Sequence, residues 1–157
     1  MQQLYAAHEE RHGFPSMLGS IDYTKWIWRN CFMAWKGQYT SDHLGAPSLV
    51  LEVVASQDLW IWHAFFGVAS SNSEINVHDH SSIFHDFLTG KASDAPFTVN
   101  VHEYTFRYYL TDRIYLPYST FMKAFRHPIE ERNKFFKRRQ EETHKDVEHA
   151  FGVLKTK

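Results

Sequence analysis

Apolar positions change their period several times along this chain, and each change marks a different element. Leu4 to Arg11 has the length and pattern of a short helix. Gly13, Phe14 and Pro15 end it, because proline disfavours a helical residue before it and glycine loosens the backbone. A short apolar segment, Met17 to Ile21, then leads into Asp22. Ser48 to Ala55 (SLVLEVVA) and Trp60 to Val68 (WIWHAFFGV) are β-branched or aromatic runs separated by the turn formers Ser56, Gln57 and Asp58, and together they read as a hairpin.

From Ala69 to Ala95 the chain is rich in Ser, Asn, His and Asp, with one amphipathic patch at Ile83, Phe84, Phe87 and Leu88, which predicts loops around a short helix. Two further apolar runs follow, Phe97 to Val99 and Tyr108 to Leu110. After Pro128 neither Gly nor Pro occurs until Gly152, and Phe136, Val147, Phe151 and Leu154 recur at near-helical spacing, so a long helix with room for one break is expected. Early strands, a late strand and a C-terminal helix add up to an α/β fold with a mixed sheet.

Composition narrows the class without naming a chemistry. With 157 residues, 43% of them hydrophobic, the chain can bury one core, and a single domain is expected. A formal charge of -1 provides no global positive field, so any nucleic-acid contact has to come from a local patch. Cys31, the only cysteine, excludes an internal disulfide and a multi-cysteine zinc site and fits a reducing compartment. No apolar run approaches the roughly 18 residues of a membrane span, and the opening MQQLYAAHEERHG lacks the order of a secretory signal. A soluble intracellular protein is the expectation.

Three acids occupy places that matter for chemistry. Asp22 ends an apolar segment, Asp112 ends the run Tyr108 to Thr111, and Glu148 lies beside the apolar stripe of Val147 and Phe151 on the last helix. Carboxylates gathered from two strand ends and a helix repel one another, and a divalent cation is the usual remedy. Two such ions about 3.5–4 Å apart would clamp the attacking and leaving oxygens of a phosphodiester. Position alone leaves solvated surface acids as the other reading.

Longer motifs carry a resemblance. Gly13 to Asp22 (GFPSMLGSID) looks like GFPGMLGSID, the opening motif of PIF/Harbinger-type plant transposases, and Ala34 to Tyr39 matches their AWKGQY. Leu51 to Val77 is similar almost throughout to their LEAVASQDLWIWHAFFGVAGSNNDINV, and Asp146 to Leu154 resembles their DVERAFGVL. The resemblance implies an RNase H-like mixed sheet flanked by helices, with the first acid on the first strand, the second after the fourth strand and the last on a following helix. These positions are Asp22, Asp112 and Glu148, and 148 − 112 − 1 leaves the 35 intervening residues after which the family's acidic triad is named.

What the resemblance implies for function is a DDE-type endonuclease using Mg²⁺ or Mn²⁺ in a two-metal arrangement, with Asp22 and Asp112 sharing one ion and Glu148 helping to hold the second. DNA, as transposon ends and target, would be the partner, with a separate Myb-like protein and a nuclear location. The chain is expected to be a catalytic domain truncated at both ends, 1–157, with no separate DNA-binding domain. Arg113, Val101 and Arg107 stand where the family usually has glycine, and Lys25 and Phe32 where it has histidine and proline. Arg113 sets a cation beside Asp112, so the alternative is a domesticated or decayed fragment that catalyses nothing and acts, if at all, by binding DNA or protein.

Six cations, Arg126, Arg132, Lys134, Lys137, Arg138 and Arg139, stand against Glu130 and Glu131. Of these, Arg132, Lys137, Arg138 and Arg139, together with Lys36 in the AWKGQY segment, are the candidate DNA contacts. A solvated helix face compensated by Glu141 and Glu142 is the competing reading. His78, Asp79, His80, His85 and Asp86 read as a polar loop rather than a metal site, and Glu74 as structural rather than metal-positioning. Asp58 is assigned to the hairpin turn, His63 to packing, and Trp26, Trp28 and Trp35 to the core rather than to base stacking.

Overall fold

A computed structural model describes residues 2–41, 44–69, 81–83, 85, 89, 96–112 and 118–156. In chain order the elements are α1 (Gln2–His12), β1 (Met17–Ile27), α2 (Met33–Tyr39), β2 (Ser48–Ala55), β3 (Ile61–Ala69), β4 (Phe97–Val99), β5 (His102–Tyr104), β6 (Tyr108–Thr111), β7 (Phe121–Lys123) and α3 (Glu131–Lys155). The main sheet has the order β3-β2-β1-β6-β7, and β4-β5 is a separate two-stranded sheet. β6 lies parallel to β1, and β7 parallel to β6. β2 and β3 are neighbours joined by residues 56–60, too short a link for anything but an antiparallel hairpin. The result is a mixed α/β sheet flanked by helices, in which β6 is the fourth main-sheet strand along the chain. This is compatible with the RNase H-like arrangement.

Two compact units are distinguishable, residues 1–22, 54–62 and 93–157 in one and 23–53 and 63–92 in the other. In the first, Gly13 ends α1 at φ +74°, and its N–H donates to the Glu9 carbonyl at 2.9 Å, the left-handed cap that glycine makes at little steric cost. Pro15 follows, as expected. Phe14, Met17, Tyr108 and Leu110 form the buried core here, with Phe97, Met122 and Phe136 packed against it. Ser56, Asp58 and Trp60 build the hairpin turn: the Ser56 hydroxyl and the Trp60 N–H both donate to the Asp58 carboxylate, which lowers its pKa, chiefly through Ser56.

β4 and β5 turn through Asn100 (φ 49°) and Val101 (φ 71°), a two-residue connection with both φ values positive. Glycine suits such a position and a β-branched side chain does not, which gives a physical meaning to the valine that stands where the resemblance led to an expectation of glycine. Val101 is 94% exposed, so its side chain gains little from burial. Val101→Gly is therefore expected to raise stability by about 1 kcal/mol, measurable as a higher urea midpoint at unchanged slope.

β2, whose residues up to Val53 belong to the second unit, is buried along its length, as an apolar strand between two neighbours should be. Val50 packs with Tyr23 and Phe65, and Trp26 meets Phe66 edge-on at 6.4 Å. Glu52 is the exception in the run: fully buried, it accepts a hydrogen bond from Ser81 at 2.5 Å, with His63 Nε2 3.8 Å away. His63 is thus half-buried, and burial lowers its pKa while Glu52 opposes the shift.

Several elements differ from expectation. β1 does not end before Asp22 but runs to Ile27, past the end of its pairing with β6 at Ile21 and Thr111. α3 runs unbroken for 25 residues and passes through Gly152. α2, β5 and β7 are too short to leave a periodic signature. Of the expected helix near Ile83, residues 82, 83 and 85 are helical, while Phe84, Phe87 and Leu88 lie outside the described residues.

Candidate functional site

The register between β1 and β6 decides where the first two acids meet. Ile21 pairs with Thr111, so Asp22 and Asp112 follow at the same level of two adjacent parallel strands. Ser20 and Asp22 share a face of β1. The Ser20 hydroxyl lies 3.4 Å from the Thr143 carbonyl of α3, and Asp22 Oδ2 lies 3.9 Å from His144 Nε2. Gln140 Nε2 donates to the Thr111 carbonyl at 3.1 Å, directly before Asp112. These contacts hold α3 against β1 and the end of β6.

On α3, Gln140, His144 and Glu148 are four residues apart and therefore lie along one face. Asp22, Asp112 and Glu148 line one cavity of about 440 Å³ together with Arg138, His144 and Lys145. All belong to the first unit. Asp22 sits inside β1 and is partly buried, Asp112 is exposed just beyond β6, and Glu148 is exposed on α3.

An all-oxygen set of three carboxylates suits a hard divalent cation. Among the described residues, no three His, Cys, Asp or Glu are gathered closely enough to form a ready-made metal cage. Mg²⁺ does not require one, because it keeps waters and takes one or two carboxylates plus substrate phosphate oxygens. In donor chemistry, then, the residues fit Mg²⁺ or Mn²⁺.

One more cation interacts with an acid of this set. Lys123, paired in register with Thr111, has its pKa lowered by burial and is drawn back up by Asp112. Sequence reading missed Lys123 because the three-residue strand carrying it has no pattern. His144 was legible in principle, since it precedes Glu148 by one helical turn. Of the candidate DNA contacts, Arg138 lines the cavity and Arg132 is exposed. Lys137 pairs with Glu141 at 3.7 Å, and Arg139 with Glu142 at 3.6 Å while lying over the Phe135 ring. Lys36 is exposed on α2 in the other unit. Arg113, Glu74, His78, Asp79, His80 and Asp86 lie outside the described residues, whereas His85 is exposed.

A family model described as plant transposon protein matches residues 1–157. The chain belongs to this family. No curated protein and no solved structure matches it. No helix among the described residues is long and apolar enough to cross a membrane.

Behind the cavity, α1 meets α3 through a titratable cluster. His12 Nε2 lies 3.2 Å from Asp146 Oδ2, and His8 is wholly buried with neither ring nitrogen hydrogen-bonded among the described residues. Burial lowers the pKa of both histidines; His12 adds to the shift at His8, and Asp146 opposes it at His12. Burial also raises the pKa of Asp146, against the pull of His12. A histidine whose folded pKa lies below 6.5 binds fewer protons folded than unfolded, so stability is full above that value and falls as pH drops through it. Stability is expected to decline as pH falls below about 6.5. His8→Leu should flatten that decline and add about 1 kcal/mol at neutral pH by removing two unpartnered nitrogens, as chemical denaturation at several pH values would record.

Proposed function

We propose that this plant transposon protein is a DDE endonuclease domain of the PIF/Harbinger type, cleaving DNA phosphodiesters with Mg²⁺ or Mn²⁺ and carrying out strand transfer. The supporting observation is the single cavity lined by Asp22, Asp112 and Glu148. Asp22 and Asp112, level on neighbouring strands, would share one ion, and Glu148 would take part in holding a second. When bound, the metal supplies Lewis-acid polarisation of a phosphoryl oxygen and lowers the pKa of a water nucleophile.

The chain's own groups orient the DNA. Arg138 and Lys145 at the cavity offer guanidinium and ammonium donors to flanking phosphates. Arg132 is a further exposed cation on α3, and Lys137 and Arg139 become available when phosphates displace their glutamate partners. Gln140 and Ser20 hold the strand ends and α3 in place, so that the acids approach a substrate as a set. A nuclear location and a Myb-like partner belong to this reading by resemblance.

A second reading, an inactive transposase fragment that binds without cutting, draws on the cations beside the acids. His144 faces Asp22 at 3.9 Å, and Lys123 interacts with Asp112, so each carboxylate has a competitor for a metal. Nicking of supercoiled plasmid with Mn²⁺ separates the two. The nuclease reading expects nicking by the native chain and none by Asp22→Ala; equal nicking by both, or none by either, leaves the inactive reading.

A further inference from the structure

The segment following Asp22 is built unlike the rest of the chain. From Tyr23 to Ser41 it holds six aromatic residues and the cations Lys25, Arg29 and Lys36, with no acid until Asp42, which lies outside the described residues. Within it, α2 has no buried residue at all. Phe32 is 67% and Trp35 47% exposed, and Met33 81%. A helix of seven residues is too short to persist on propensity alone, so its rings must anchor it. Trp28 does this from below, meeting Tyr39 edge-on at 5.3 Å and Trp35 at 5.9 Å. Phe32 in turn meets Trp35 edge-on at 5.7 Å.

The tryptophans therefore divide. Trp26 and Trp28 are half-buried, whereas Trp35 and Phe32 form the outer layer of a ring cluster, flanked by exposed Arg29 and Lys36. Solvent-facing rings held rigid from beneath cost little further entropy on binding, and every nucleobase has a face to stack on them. Three cations without an acid favour a polyanion over an apolar protein segment. Bases within a duplex are already stacked and cannot reach such rings.

We propose that Phe32 and Trp35 form a stacking platform for unpaired bases of single-stranded DNA, with Arg29 and Lys36 contacting the adjoining phosphates. This rests on the DNA reading above for its choice of polyanion, but not on cleavage.

The test uses the whole chain in EDTA, with a dye-labelled oligo(dT) strand and a duplex of the same length. Expected are quenching of tryptophan fluorescence by oligo(dT), at least roughly tenfold weaker duplex binding, and a loss of roughly 5- to 100-fold in oligo(dT) affinity for Phe32→Ala and for Trp35→Ala. Trp35→Tyr should keep most of the affinity, and Arg29→Gln should lower the slope of log K against log salt by about 0.7. Circular dichroism identifies any variant that fails to fold, and exposed Phe32 supplies the variant least at risk. Equal binding of duplex, native affinity in Phe32→Ala, or a patch that mediates self-association without binding oligonucleotide would each overturn the platform. Lost oligo(dT) binding with plasmid nicking intact sinks the platform alone. Intact binding without any metal-dependent nicking sinks the nuclease reading alone.

Discussion

Under the proposed nuclease function, Asp22→Asn is expected to lower Mn²⁺-dependent plasmid nicking by about 10³-fold, since polarisation by a bound metal would contribute several kcal/mol to phosphoryl transfer and each 1.36 kcal/mol is a factor of ten. The substitution keeps the size of the side chain and removes only its charge. Asp112→Asn should behave alike, because register sets it level with Asp22. Glu148→Gln, reached from α3 at the same cavity, is expected to cost a comparable factor. Groups that act as a unit are not additive, so Asp22→Asn with Asp112→Asn should lose little more than either alone. None of the three should unfold the protein, since Asp22 is only partly buried and Asp112 and Glu148 are exposed. A variant that loses nicking and its cooperative thermal transition together would point to a structural role instead.

Gly19→Val is expected to destabilise the protein by about 3–5 kcal/mol, the largest stability effect of any single change considered. Gly19 has φ +154°, and a Cβ there would sit 2.9 Å from the Ala55 carbonyl oxygen and 3.0 Å from Val54 Cγ1. The carbonyl is backbone and cannot turn aside as a flexible side chain would. The same stretch of β1 shifts register between Met17 and Gly19, so the glycine sits where the strand is irregular. Gly19→Ala should cost less, about 2 kcal/mol, as it lacks valine's branch. For a chain of this size 1 kcal/mol corresponds to roughly 2–4 °C, so valine should lower the thermal midpoint by roughly 10 °C; an unchanged midpoint would falsify the close approach. Only three positions separate Gly19 from Asp22, and the damage should therefore reach activity as well.

Both predictions trace to one motif, and that motif shows what was legible in advance. Gly13, Gly19 and Asp22 stand in a ten-residue segment whose resemblance to transposases was readable from the sequence. Gly13 proves to cap α1. Gly19 serves a close approach between strands, which no local pattern announces, because the atoms it avoids lie at Val54 and Ala55. Val101 is the converse case: its oddity was visible against the family, and its cost became visible only once φ was known to be 71°.

Local patterning by itself determined the α1 helix and its stop, the buried run of β2, the hairpin turn at Ser56 and Asp58, and the long final helix. Each of these depends on neighbours a few residues away, through caps, turn side chains and periodic burial. Ordered motifs along the whole chain likewise fixed its family. Tertiary structure alone decided that Asp22 lies within a strand rather than at its end, that β7 brings Lys123 to Asp112, and that His144 stands opposite Asp22. It also separated Trp28, an anchor, from Trp35, which faces solvent. Parallel strand register and helix docking join residues far apart along the chain, such as Ile21 with Thr111 and Ser20 with Thr143, and no local window of sequence contains both partners.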